Sequence, residues 1–88
     1  MATAKNRALK LRQTFEQTQE QFARMLKVSF TTVSRWENGH TMPTGVGGAI
    51  LDLLDKARDR CEDELIMDEL RECKDQAEVI GKLAILGQ

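Results

Sequence analysis

Apolar residues recur along this chain at intervals of three and four and show no sustained alternation, a spacing that predicts helices rather than strands. Ala8, Leu11 and Phe15 share one face of a first helix expected from about Ala4 to Thr14. Thr18 is placed to cap a second, because Gln21 three residues on can reach back to the Thr18 amide and complete a capping box. That helix is expected to run to about Leu26 and to bury Phe22, Ala23 and Leu26. Ser29 is the next N-cap, and the helix it opens must stop before Gly39. Gly39 to Pro43 reads as a loop. Thr44 can then cap a further helix whose apolar face is Val46, Ile50, Leu51, Leu53 and Leu54, with Gly45, Gly47 and Gly48 each weakening its first turn by roughly 1 kcal/mol relative to Ala.

From Asp55 onward the chain is densely charged, yet Ile66, Leu70, Cys73, Ala77, Ile80 and Ala84 follow one another at spacings of four, three, four, three and four. A seam with that repeat either folds back on its own domain or joins two copies of the chain. The first 54 residues already supply a core, which favours the second use, with Ile66, Leu70, Cys73, Ala77 and Ile80 as the contact of a homodimer. A chain cut after Ala57 should then be a folded monomer. Gly81 argues against a rigid helix continuing to the C-terminus. The expected architecture is all-α: four or five helices, in a compact domain over residues 1–57 and an acidic helical extension over 58–88.

Charge sharpens this division. Residues 1–48 hold seven Lys and Arg against three Glu, a balance of +4, whereas the remainder holds six against eleven Asp and Glu, a balance of −5. A basic front half suits a phosphate backbone and an acidic rear half suits a protein partner. With 88 residues there is room for one core and none for a separate ligand-sensing domain. Cys61 and Cys73 are too few and too isolated for a disulfide framework or a zinc cluster, so reduced thiols are expected. Neither a leader peptide nor a membrane span is legible, and a cytoplasmic protein without metal or cofactor is the expectation. An enzyme would need a nucleophile and base, paired carboxylates, a phosphate-cradling loop or a metal cluster. Gly45-Val46-Gly47-Gly48 has no preceding strand and no Lys, and His40 is a lone loop residue. No enzymatic site is expected.

The stretch from Thr18 to Gly39 carries the most specific pattern in the chain: Thr18 followed by Gln19, a small Ala23, Val28-Ser29 opening the second helix, Val33 in its middle, and Trp36-Glu37-Asn38-Gly39 closing it. It resembles the helix-turn-helix of the Cro-repressor type, also called the XRE family. The resemblance covers residues 8–54 and implies a lambda-repressor-like fold and binding to double-stranded DNA. Physical reasoning agrees with it, since Ala23 must be small where the two helices cross and Val33 and Trp36 can anchor the second helix on the first. Two positions depart from the family pattern. Lys27 stands where a turn Gly is common, at a cost of roughly 1 kcal/mol if it adopts a left-handed conformation. Glu16-Gln17 replaces a common Gly-Leu, leaving space that Phe15 can fill.

At about 100° per residue, the face of the second helix opposite Val33 carries Thr31 and Arg35, flanked by Ser34 and Thr32. A recognition helix reads base edges in the major groove, and Arg can grip guanine O6 and N7 with two hydrogen bonds. Arg35 is therefore the foremost base-reading candidate, with Thr31, Thr32 and Ser34 beside it. Phe30 either packs on a thymine methyl or belongs to the core. The resemblance further implies that Gln19 and Asn38 hold phosphates, and Lys27 is a basic candidate for the same task. It also implies an ion pair between Arg12 and Glu37. His40, Thr41 and Met42 follow Gly39 where the family often has Lys or Arg, which lowers the expected grip on the backbone.

The expected function is a transcriptional regulator, a repressor binding a two-fold symmetric operator as a dimer. The stretch from Arg35 to Leu54 is also similar to a subgroup found among antitoxins, in which an acidic C-terminal segment clasps a basic toxin and the domain represses its own operon. That alternative predicts a stoichiometric toxin partner.

Overall fold

The computed structural model describes residues 4–39 and 45–88, with side chains from Arg7 onward. The expected loop His40 to Pro43 and the Thr44 cap lie outside the described residues. Six helices follow in order: α1 Ala4–Thr14, α2 Gln19–Leu26, α3 Phe30–Asn38, α4 Gly45–Arg60, α5 Asp63–Arg71 and α6 Gln76–Leu86. That is one more than the periodicity suggests. No strand occurs among the described residues.

Local chemistry sets the first three helices. Thr18 Oγ1 accepts from the Gln21 amide at 3.1 Å while Gln21 Oε1 accepts from the Thr18 amide at 3.0 Å, so the capping box is closed. The Ser29 hydroxyl accepts from the Thr32 amide at 3.0 Å. Gly39, at φ 78°, ends α3 in the left-handed region that a glycine adopts without steric cost. Two residues with side chains adopt the same region: Lys27 at φ 59° and Glu16 at φ 54°. The α2–α3 turn is thus made by a lysine, at a local cost of roughly 1 kcal/mol.

Ala8, Leu11 and Phe15 from α1, Phe22, Ala23, Met25 and Leu26 from α2, and Val33 and Trp36 from α3 are buried together. The same core continues without a break through Ile50, Leu51, Leu54 and Ala57 of α4 into Ile66, Leu70, Cys73, Val79 and Leu83. The last two helices pack on α4, and α5 also lies against α2.

Several expectations are corrected by this packing. The seam from Ile66 to Ala84 is not one helix, because the chain turns at residues 72–75 and Asp75 starts α6 by accepting from the Glu78 amide at 3.0 Å. After that turn the inward face moves: Val79 and Leu83 are buried, Ala77 is exposed and Ile80 only half-buried. Ile66 and Leu70 are fully buried and Cys73 nearly so, all inside a single copy of the chain. A side chain that is already enclosed has no surface to offer a second copy, so these residues are not a dimer contact in this fold. Gly81 does not end the last helix, which continues to Leu86 with open space around the glycine. Val46 is half-exposed rather than part of the α4 face, and Gly47 takes the inward position beside Trp36.

A Cβ added at Gly47 would stand 2.5 Å from Trp36 Cζ2, closer than van der Waals contact permits. Gly47→Ala should therefore destabilise the protein by about 1 to 3 kcal/mol, although alanine is the better helix former. Urea unfolding followed by Trp36 fluorescence would measure it, and a stabilised variant would show that α4 does not seat on the indole.

Candidate nucleic-acid interface

α3 is held from behind by Val33, fully buried, and Trp36, at 3% exposure, which fixes which face it turns outward. On that face Phe30, Thr31, Arg35 and Asn38 are exposed, and Thr32 and Ser34 partly so. Phe30 is 51% exposed, which removes it from the core and leaves it at the N-terminal end of the outward face. Their hydroxyl and amide groups are not equally free. Thr32 Oγ1 lies 2.7 Å from Ser29 Oγ within the cap, and Ser34 Oγ accepts from Asn38 Nδ2 at 3.3 Å. Thr31 and Arg35 have no such hydrogen bond among the described residues.

Behind α3 sits a charged network. Arg12 Nε donates to Glu37 Oε2 at 2.7 Å and Arg12 Nη2 to Glu37 Oε1 at 2.9 Å, a two-pronged pair with side-chain exposures of 20% and 6%. Arg12 Nη1 also donates to the Gln17 carbonyl at 3.0 Å, tying the α1–α2 corner to the end of α3. The hydrogen bond that Arg12 donates to Glu37 holds the Arg12 pKa above its ordinary value against the opposing effect of burial. Gln19 Nε2 donates to Glu37 Oε1 at 2.9 Å. That bond uses one of the two amide protons of Gln19 and fixes the amide at the N-terminus of α2, where backbone N–H groups already favour an anion.

Lys27 Nζ donates to the Arg24 carbonyl at 3.1 Å and so turns back over the end of α2, with two protons left for another acceptor. The Lys27 carbonyl in turn accepts from Gln76 Nε2 at 3.0 Å. This bond joins the α2–α3 turn to the start of α6 across 49 positions of sequence, and nothing in the local pattern around Gln76 announces it. Phe15 is buried, and the Arg58 guanidinium sits 5.8 Å above its ring centroid, within cation–π range.

The arrangement is two short helices crossing at a small residue, the second presenting a polar face with an arginine and the first presenting its N-terminus. Residues 10–45 match the Helix-turn-helix family. They form a helix-turn-helix DNA-binding domain of the Cro-repressor type. Within that domain α2 and α3 are the paired helices, while α5 and α6 lie beyond the matched residues. No curated protein and no solved structure matches the chain.

Other chemistries find little to work with. Among the described residues no group of three or more His, Cys, Asp or Glu is placed to hold a metal, and no helix is long and apolar enough to cross a membrane. Cys73 is buried, and its thiol pKa is raised by desolvation first and by the nearby Glu78 charge second, which disfavours the reactive thiolate.

Proposed function

We propose that this helix-turn-helix protein is a sequence-specific repressor that reads double-stranded DNA through the outward face of α3. The observation that carries the reading is the split of that helix. Val33 and Trp36 are committed to the core, while Arg35 and Thr31, with Phe30 before them, stand exposed and unengaged at helical spacing. Arg35 then grips a guanine, Phe30 packs on a thymine methyl, and Thr31, Thr32 and Ser34 complete the contact with base edges. Gln19, Lys27 and Asn38 hold phosphates on either side and set the register. A single nine-residue helix with few cations around it holds DNA weakly, so two copies bind neighbouring half-sites about one helical turn, roughly 34 Å, apart. Since Ile66, Leu70 and Cys73 are enclosed within one copy, the two copies meet through other side chains. The same burial takes Ile66, Leu70, Val79 and Leu83 out of a toxin's reach and leaves Leu65 and Ile85 as the exposed large apolar side chains of the acidic segment.

Selection of bound duplexes from a random pool should return a two-fold symmetric site. On that site Arg35→Ala should cost roughly 1 to 3 kcal/mol while scarcely changing affinity for a scrambled duplex, because base contacts carry the discrimination. Gln19→Ala should weaken both. Lys27→Ala should flatten the dependence of log K on log salt by about one unit, whereas the uncharged Gln19 should leave that slope unchanged. Equal losses on both duplexes for Arg35→Ala would reduce Arg35 to a phosphate contact and overturn the orientation given to α3.

A further inference from the structure

Away from the recognition helix, the α1–α2 corner, the second half of α2 and one face of α5 border a groove of about 490 Å³ to which α3 contributes no residue. That volume lies within the range of small-molecule sites. Its borders combine two kinds of surface. Arg24, Lys27 and Arg71 bring three cations against one carboxylate, Glu16, and Phe15, Met25 and Met67 bring an aromatic ring and two thioethers. We propose that this groove binds a small organic anion, a carboxylate carried on a compact apolar body.

The cations are available to such a ligand. Arg24 is paired with Glu20 at 3.3 Å and Arg71 with Asp68 at 3.1 Å, but both are pairs within one helix with all four side chains at least 65% exposed. Exposed pairs of this kind contribute little, and a carboxylate that takes two hydrogen bonds from a guanidinium displaces them at small cost. Lys27 retains two ammonium protons beyond the one given to the Arg24 carbonyl. The thioethers of Met25 and Met67 are flexible and polarizable and can close on an apolar body of varied shape. Gln17 also borders the groove, with its Oε1 buried and without a hydrogen-bond partner among the described residues. A bare inorganic anion leaves the apolar wall unused, and a neutral apolar molecule leaves the cations unused. The groove calls for both properties in one ligand.

The test is an NMR titration of the full chain, without DNA, using 3-phenylpropionate as probe and 3-phenylpropanamide and inorganic phosphate as comparisons. The expected result is saturable shifts of the Met25 and Met67 methyls and of the Lys27 and Arg71 amides in roughly the millimolar range. The amide and phosphate should each bind at least about tenfold more weakly. Arg71→Ser, at an exposed position, should weaken the carboxylate about tenfold and leave the amide unchanged. The proposal is overturned if the neutral amide or phosphate matches the carboxylate, if Arg71→Ser has no effect, or if the shifts scatter over the surface.

Discussion

Cutting the chain after Ala57 should leave it unfolded, and so should a cut after Cys61, which keeps α4 whole. Both remove Ile66, Leu70, Val79 and Leu83, all fully buried, and uncover the faces of α4 and α2 on which α5 and α6 lie. Burying one such side chain contributes about 1.5 to 3 kcal/mol, so the four together approach the roughly 5 to 15 kcal/mol by which a small domain is stable at all. The cut also removes Gln76, whose amide holds the Lys27 carbonyl in the helix-turn-helix turn. Far-UV circular dichroism and amide dispersion of the two fragments would decide the matter. A cooperative thermal transition in the 57-residue fragment would restore the picture in which the C-terminal segment is a separate dimerisation element. The expected result makes α5 and α6 part of what keeps the recognition helix in place.

The first three helices are legible in the sequence because their ends are written in local chemistry: Thr18 with Gln21, Ser29, and Gly39 each act over three or four residues. The outward face of α3 is legible for the same reason, since Val33 and Trp36 fix its phase. The α4 face is harder. Its inward positions run 47, 50, 51, 54 and 57, and the first of them is a glycine kept small by Trp36, so counting apolar side chains puts Val46 on the wrong side. The C-terminal seam misleads because a heptad count assumes a continuous helix. Asp75 followed three residues later by Glu78 is itself a helix-start signal, and it marks the turn after which the inward face advances by two positions from Ala77 to Val79. The hydrogen bond from Gln76 to Lys27 has no local signature, because it exists only once α6 has folded back on the domain. Local pattern reaches contacts made within a turn or two of helix, and the Arg12–Glu37 pair, 25 positions apart, is legible only through the family resemblance.

Arg12→Ala should destabilise the protein by about 3 to 5 kcal/mol, and Glu37→Ala by less. The asymmetry follows from burial. Without Arg12, a carboxylate at 6% side-chain exposure keeps only the Gln19 amide as a partner, and its remaining lone pairs face protein rather than water. Without Glu37, the guanidinium at 20% exposure retains its bond to the Gln17 carbonyl and has a nearer route to solvent. The measurement is a shift of the urea midpoint at constant slope for each variant. The double variant Arg12→Met/Glu37→Leu should recover most of the loss, because replacing a buried pair with apolar groups of similar size is often close to neutral. DNA binding should not recover with it. Glu37 Oε1 is what holds the Gln19 amide at the N-terminus of α2, and a leucine in its place offers no acceptor. The double variant should therefore be nearly as stable as the wild type yet bind specific and scrambled duplexes more weakly by a similar factor. If instead Arg12→Ala costs under about 1 kcal/mol, the pair behaves as an exposed one and the network does not brace α3. If the double variant binds DNA like the wild type, Gln19 needs no partner to hold its phosphate.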